Sequence, residues 1–369
     1  MTRQAAARNV RGRFSIFQGH PMTSSTTLAD LGWTNQLLGQ LSITELETRL
    51  PARVAEVHRD RLVAFSTKGP LALTLPPSLS SGAVAVGDWL ICDEGRRVVD
   101  RLLDRTTCLA RRAAGETARE QLIAANVDTA FLTTSCNADF NVARIERYLA
   151  LILGGGIEPV ILLTKADLDD PAPYLDRLRP VTRDVPALAV DAFSPDLIER
   201  LAPWCGRGRT LCFLGSSGVG KSTLATALTG RTLTTAAIRE DDAKGRHTTT
   251  ARSLMPAAGG CWLIDTPGMR ELRLQGVAEG IDATFADLSE IARECRFSDC
   301  RHESEPGCAI RAAIDAGEID RARLHRWQKL QREDNWNSAS VAELRARSRS
   351  FGRMTRDVMK HKRNRWEES

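Results

Sequence analysis

From Ala52 to about Arg112 the apolar positions alternate with polar ones or gather in short runs. These are R-V-A-E-V-H, R-L-V-A-F-S, L-A-L-T-L, V-G-D-W-L-I-C and V-V-D-R-L-L-D-R, with breaks at Lys68-Gly69-Pro70, Ser80-Ser81-Gly82 and Glu94-Gly95. A period of two bounded by turn residues predicts strands. Five short strands in about sixty residues predict a small barrel such as an OB-fold, with another small β domain as the alternative. From Asn126 to Gly268 the pattern changes. Apolar runs at Thr129–Thr134, Pro159–Thr164, Ala187–Val190, Thr210–Gly215 and Cys261–Asp265 are separated by helical periodicity, as in Val142–Leu153 and Ser222–Thr229. Strands alternating with helices predict a parallel, doubly wound α/β domain. Residues 30–50 read as a short helical lead-in. After about Gln275 the pattern is helical and irregular, with 309–333 helical and highly charged, and the chain from about 334 onward partly disordered.

The expected organisation is therefore multidomain. It comprises an N-terminal extension over 1–50, partly disordered; an OB-fold over 51–112; an α/β P-loop domain over 120–275; and a small helical domain with a basic tail over 276–369. Length fits, since 369 residues hold two or three domains. Charged residues at 26% and hydrophobic residues at 42% are ordinary for a globular chain. No run of about 18 apolar residues occurs, so no spanning helix is expected.

Charge sharpens the picture. The net charge is +5, but the positive residues sit at the ends. Residues 1–29 carry four arginines and no acid, and 341–365 carry seven arginines and two lysines against two acids. The body between them is slightly acidic. Basic arms on such a body suit nucleic-acid binding, against the plainer reading of a solvated helix face. The first 29 residues lack a secretory apolar stretch, and Met22 is a plausible alternative start.

Candidate chemistry begins at Gly215-Ser216-Ser217-Gly218-Val219-Gly220-Lys221-Ser222-Thr223. The spacing G-x4-G-K-S, after a predicted strand and opening a predicted helix, is that of a phosphate loop. Backbone N–H groups would curl around phosphate oxygens, Lys221 would reach the β- and γ-phosphates, and Ser222 would bind Mg²⁺. Asp265-Thr266-Pro267-Gly268 ends another strand. Asp265 suits a second Mg²⁺ contact through water, and Gly268 offers an N–H to the γ-phosphate. Thr164-Lys165-Ala166-Asp167 ends a third strand. The Asp167 carboxylate would accept from guanine N1–H and the exocyclic amine, a donor pair adenine lacks, and Lys165 would cover the base. Thr164 stands where Asn is usual. In Val190-Asp191-Ala192, Ala192 fits a backbone contact to guanine O6, and Asp191 replaces the usual Ser. Gly245-Arg246-His247-Thr248-Thr249-Thr250 would be a switch segment, with Thr249 or Thr250 completing the Mg²⁺ shell. Met269 cannot orient water, which leaves His247 or a partner's cation for that task.

These motifs run in an unusual order, since the base-reading T-K-A-D precedes the phosphate loop by about fifty residues. That is a circular permutation, which a compact domain tolerates because its termini lie close together. Nine cysteines are unevenly used. Cys92, Cys108, Cys136, Cys205, Cys212 and Cys261 read as small buried hydrophobes. Cys295-x4-Cys300-x-His302-x5-Cys308 supplies three thiols and an imidazole, the ligand set of a closed structural Zn²⁺ site. An odd total with no secretion signal fits a reducing compartment.

With these residues in view, roughly residues 30–333 resemble the circularly permuted ribosome small-subunit biogenesis GTPases of the RsgA (YjeQ) family. The likeness rests on A-A-N-V-D (Ala124–Asp128), T-K-A-D, G-R-H-T-T-T, D-T-P-G and the Cys/His cluster. It implies an OB-fold, a permuted GTPase and a zinc domain. It also implies a cytoplasmic factor, a monomer by default, that binds GTP and GDP and acts on the 30S subunit and its 16S rRNA. Hydrolysis is expected to be stimulated by that subunit, and movement of D-T-P-G is expected to reorient the zinc domain. Two other readings are a nucleotide-gated RNA-binding module with incidental hydrolysis, and a P-loop kinase or metallochaperone. The closed four-ligand set and T-K-A-D count against the latter.

Overall fold

The computed structural model describes residues 26–112, 120–182, 184–231, 252–266 and 274–338. The chain divides into two compact units, 1–110 with 122–270, and 111–121 with 271–369.

In the first unit, two short helices lead in, α1 (Asn35–Leu38) and α2 (Ile43–Thr48). Thr34 and Ser42 cap them, Ser42 in a reciprocal pair with Glu45. Five strands follow: β1 (Leu50–Val57), β2 (Arg61–Ser66), β3 (Gly69–Thr74), β4 (Trp89–Asp93) and β5 (Val98–Leu102). They close into a barrel in the order β1-β2-β3-β5-β4. The ladders are antiparallel except β3 to β5, which meet in parallel at Thr74 and Val98. Ala52, Val54, Leu62, Ala64, Leu71, Leu73, Leu90, Cys92 and Val99 fill its centre. The alternation in the sequence is thus the inward face of a barrel, as expected. β6 (Cys108–Arg112) and β7 (Glu120–Ala125) form a separate two-stranded sheet.

The remaining strands of this unit make one six-stranded sheet. They are β8 (Thr129–Ser135), β9 (Glu158–Thr164), β10 (Ala187–Ala189), β11 (Thr210–Leu214), β12 (Ser253–Pro256) and β13 (Trp262–Asp265), in the order β10-β9-β8-β11-β13-β12. All pairs are parallel except β12 with β13. β8 and β11 are buried along their whole length, which is why they read as unbroken apolar runs. Helices α3 (Val142–Gly154), α4 (Ala172–Thr182), α5 (Leu197–Leu201) and α6 (Lys221–Thr229) connect or follow the strands. The chain runs outward from β8 to β10, then returns to place β11 on the other side of β8. That reversal is a topological switch point, where open α/β sheets hold ligands beyond the strand C-termini.

Barrel and sheet are joined by a buried cation. Arg53 of β1 donates to the Leu31 carbonyl at 2.6 Å, the Asn126 carbonyl at 3.0 Å and the Thr210 hydroxyl at 2.6 Å. It is 1% exposed, and burial lowers its pKa to about 10 against the pull of Asp128 and Asp88. Trp262 of β13 donates its indole N–H to the Asp30 carbonyl at 2.6 Å.

The second unit holds α7 (Ala278–Thr284), α8 (Ala286–Ala292), α9 (Ala309–Asp315) and α10 (Arg321–Ser338). The stretch 309–333, expected to be helical, forms two helices, α9 and the first part of α10. Gly317 has φ +77°, a left-handed conformation that ends α9 and lets the chain turn before α10. Arg323 of α10 forks onto Asp287 at 2.8 and 2.9 Å and lies over the Phe285 ring. Asp334 accepts from the Val277 N–H at 3.1 Å. Among the six scattered cysteines, five are buried and Cys108 is only half-buried.

Candidate functional site

The phosphate loop lies at the switch point, between β11 and α6. Gly215 has φ +141°, and a Cβ there would sit 2.1 Å from the Thr133 carbonyl oxygen. Only glycine allows β11 to pass so close to β8 as it turns. Gly220, at φ +94°, caps α6, so Lys221, Ser222 and Thr223 open that helix with their N–H groups unpaired by its own turns. Lys221 Nζ donates to the Gly215 carbonyl at 2.9 Å and to the Ser216 carbonyl. Burial holds its pKa down to about 8, with Asp265 opposing the shift. The Asp265 carboxyl is raised by burial, against the Thr266 N–H and Lys221. Asp265 ends β13, which pairs with β11 through Cys212 and Ile264. The Ser222 hydroxyl and the Asp265 carboxylate are hard oxygen donors, the type Mg²⁺ takes beside phosphate.

The T-K-A-D and V-D-A segments come to the same end of the sheet. β9 runs beside β8 up to the pair Ser135 and Thr164. The Thr164 hydroxyl donates to the Val219 carbonyl at 2.6 Å and lies 3.0 Å from the Thr134 carbonyl. Lys165 follows at φ +60°, a conformation uncommon outside glycine and asparagine. It swings the chain so that Ala166 is half-buried and Asp167 is exposed. The Val190 N–H donates to the Leu163 carbonyl at 2.7 Å, setting V-D-A beside T-K-A-D. Asp191 Oδ1 accepts from the Phe193 N–H at 2.8 Å. The carboxylate that replaces the usual serine therefore shapes its own turn, leaving Ala192 half-buried.

The structure thus brings together Thr164 to Asp167, Ala192, the loop from Gly215 to Thr223, and Asp265. His247, Thr249, Thr250, Gly268 and Met269 lie outside the described residues, as does the basic stretch 341–365. Two features had no signal in the sequence. Leu168 and Phe193, next to T-K-A-D and V-D-A respectively, are 75% and 83% exposed. Arg144 in the first turn of α3 donates from Nη1 to the Ser216 hydroxyl at 2.5 Å and to both Asp139 oxygens at 2.9 Å.

The second unit carries the metal-ligand set. The donor atoms of Cys295, Cys300, His302 and Cys308 all lie within 4.8 Å of one another. A tetrahedral zinc with sulfur at about 2.3 Å and nitrogen at about 2.0 Å sets S–S edges of roughly 3.8 Å and S–N edges of roughly 3.5 Å. Cys295 and Cys308 sulfurs stand 3.9 Å apart, and His302 Nδ1 is 3.6 and 3.5 Å from them. The residues fit a closed Cys₃His zinc site. His302 adopts φ +62° and stacks on Trp327 of α10, with ring centroids 5.7 Å apart, which fixes Nδ1 toward the thiols.

Comparison with known proteins agrees with this geometry. The RsgA GTPase family model matches residues 102–275. The small ribosomal subunit biogenesis GTPase RsgA of Mesorhizobium japonicum is 48% identical over 335 residues, 89% of this chain and 96% of that protein. RsgA 2 of Vibrio parahaemolyticus is 46% identical, covering 93% and 96%. Among solved structures, YjeQ from Thermotoga maritima superposes with a TM-score of 0.57 at 24% identity, over 76% of this chain and 97% of that one. YloQ, described as a circularly permuted GTPase, gives 0.56 at 19% identity, over 79% and 97%. These two bear on the fold alone.

Proposed function

The chain belongs to the RsgA GTPase family, and on that premise we propose that it binds the small ribosomal subunit and assists its late maturation. It hydrolyses GTP to GDP and phosphate, and the subunit stimulates that step. The observation that carries the reading is one continuous site at the switch point. There the phosphate loop and T-K-A-D, 55 residues apart at Val219 and Thr164, share a hydrogen bond.

The roles of the chain's residues follow from chemistry. The backbone N–H groups from Ser216 to Thr223 and the Lys221 ammonium hold the β- and γ-phosphates. Asp167 reads guanine, Lys165 covers one face of the base, and the Ala192 N–H meets guanine O6. Ser222 and Asp265 are the groups that would hold Mg²⁺, one directly and one through water. Bound there, the ion neutralises charge on the phosphate oxygens. Thr249 or Thr250 would be a further group toward the ion, Gly268 would offer its N–H to the γ-phosphate, and His247 would position the attacking water. Zinc held by Cys295, Cys300, His302 and Cys308 serves as a structural staple, since four protein donors leave it no open position. The 16S rRNA is the surface contacted, by the OB-like barrel and the basic tail. No helix among the described residues is long and apolar enough to cross a membrane. The working form in this reading is a cytoplasmic monomer.

The test is steady-state GTP turnover by the purified chain, with and without small ribosomal subunits. A large stimulation is expected. Tight GTP binding with no stimulation would instead mean a nucleotide-gated binder whose hydrolysis is incidental.

A further inference from the structure

Arg144 stands apart from the other cations near the site in how it uses its donors. One nitrogen, Nη1, makes all of its contacts, to the Ser216 hydroxyl and to both oxygens of Asp139. Nε and Nη2 have no hydrogen-bond partner among the described residues. A guanidinium normally spends its planar fork on a carboxylate or a phosphate. Here the fork is held beside the phosphate loop, uncommitted. Its side chain is 39% exposed, and that of Asp139 43%, so the pair is readily exchanged for a stronger anion.

The placement is set by three local features. Asn141 caps α3 by accepting from the Arg144 N–H at 3.0 Å, which fixes Arg144 in the first helical turn. Asn137 accepts from the Asp139 N–H at 2.9 Å, which fixes the loop carrying the carboxylate. β8 pairs with β11 through Leu132 and Leu214, so the segment after β8 emerges next to the phosphate loop. A small pocket is formed there by Thr133, Thr134, Asp139, Asn141, Arg144 and Ser216, among others. Ser216 is held by two cations at once, Lys221 on its carbonyl and Arg144 on its hydroxyl.

We propose that Arg144 is an arginine supplied in cis for GTP hydrolysis, moving its free Nε–Nη2 edge from the Asp139 side of the loop onto the γ-phosphate. This rests on the GTPase reading and deepens it. In the reaction, the water oxygen forms a bond to the γ-phosphorus. The bond from that phosphorus to the β–γ bridging oxygen breaks, and its electron pair stays on GDP. The water's proton leaves to the phosphate product or to solvent. Charge develops on the γ- and bridging oxygens, and a guanidinium there lowers the barrier. Lys221 neutralises the ground state as well, and so would a Mg²⁺ held by Ser222 and Asp265. A group that changes partner as charge develops acts mainly on the transition state. Asp139 is the counter-ion that keeps Arg144 in reserve.

The experiment compares the full chain with Arg144→Ala, Arg144→Lys and Asp139→Asn. It measures GDP affinity, GTP turnover with and without small ribosomal subunits, and binding of GDP in the presence of aluminium fluoride. Arg144→Ala is expected to lower kcat about 100-fold or more, to leave GDP affinity within about twofold, and to lose the tightening that aluminium fluoride gives. Arg144→Lys, a point charge without a fork, is expected to recover only part of the rate. Asp139→Asn, which frees the guanidinium, is expected to raise turnover without subunits. A structural pin would instead lower GDP affinity and thermal stability together while kcat stayed within about threefold, and that result overturns the proposal. If the unsubstituted chain binds GTP but never turns it over, even with subunits, the GTPase reading falls and the proposal with it. Normal wild-type turnover with an unaffected Arg144→Ala variant sinks the proposal alone.

Discussion

The hydroxyl of Thr164 donates to the carbonyl of Val219 at 2.6 Å. It joins the end of β9 to the phosphate loop, the two segments proposed to read the base and hold the phosphates. The two half-sites are therefore one mechanical unit. Thr164→Val keeps the side chain's shape and leaves a buried carbonyl without its donor, at a cost of about 1–3 kcal/mol. GDP and GTP should both bind roughly tenfold more weakly, or worse, in a fluorescent-nucleotide titration. Thr164→Ser should stay within about twofold. If Thr164→Val spares affinity, the link does not serve the site.

Asp167 is exposed at the rim of the sheet, so exchange of its carboxylate is not expected to disturb folding. Asp167→Asn offers a donor where guanine's amine also donates, and its carbonyl accepts only one of guanine's two donors. Preference should move from GDP toward xanthosine diphosphate by about tenfold or more. Undiminished GDP affinity would remove Asp167 from the base site.

In its proposed role Lys221 gives the site a pH dependence. Phosphate would be held by its ammonium form, and burial holds its pKa down to about 8. Above that pH, binding must be accompanied by proton uptake. GDP affinity should fall with rising pH, approaching tenfold per unit. Folding stability should move the other way. Between about 8 and the ordinary lysine value of 10.5 the unfolded chain holds more protons than the folded one, so this group makes stability rise with pH. Below about 8 its contribution is flat. Calorimetric titrations of GDP from pH 7 to 9.5 in two buffers of different ionisation enthalpy would detect the proton uptake.

Arg53 is a buried cation whose three acceptors come from the lead-in, the chain before β8, and β11. Arg53→Ala strands those acceptors and removes the countercharge of Asp128 and Asp88. A loss of about 3–5 kcal/mol is expected in urea unfolding. Arg53→Lys should recover little, because one ammonium cannot reach three acceptors in the guanidinium's plane. A loss below about 1 kcal/mol would show the contact to be incidental.

Cys300→Ser should abolish stoichiometric zinc, measured by elemental analysis, and unfold α9 and its surroundings, since so small a helical unit relies on the metal. Fluorescent-GDP affinity should change less than about threefold. Full zinc content in the variant would remove Cys300 from the ligand set.

What could be read along the chain was whatever closes within a few residues. The phosphate loop, the D-T-P-G strand end and the Cys/His spacing each need only their neighbours, and the alternation over β1 to β5 reports one face of a barrel. Contacts with large sequence separation left no trace. Arg53 meets Thr210 across 157 residues, Arg144 meets Ser216 across 72, and Thr164 meets Val219 across 55. An arginine in a strand or a threonine in place of an asparagine looks like simple variation until the sheet puts its partner beside it. The break at Gly317 was masked for another reason. In residues 309–333 the buried positions Ile310, Ala313, Ile319, Leu324, Trp327 and Leu330 are few and set among many charges, so the periodicity was too sparse to show where one helix stopped and the next began.

β8 pairs with β9 on one side and β11 on the other, at the middle of the six-stranded sheet. It is also the first strand of that sheet to leave the ribosome that makes the chain. Its β11 edge stays open until Leu211–Leu214 have been synthesised some eighty residues later. Only then can the phosphate loop take shape. At about 5–20 residues per second this is a wait of several seconds. During that time an apolar strand edge, wholly buried in the finished fold, is a target for mispairing or for chaperones.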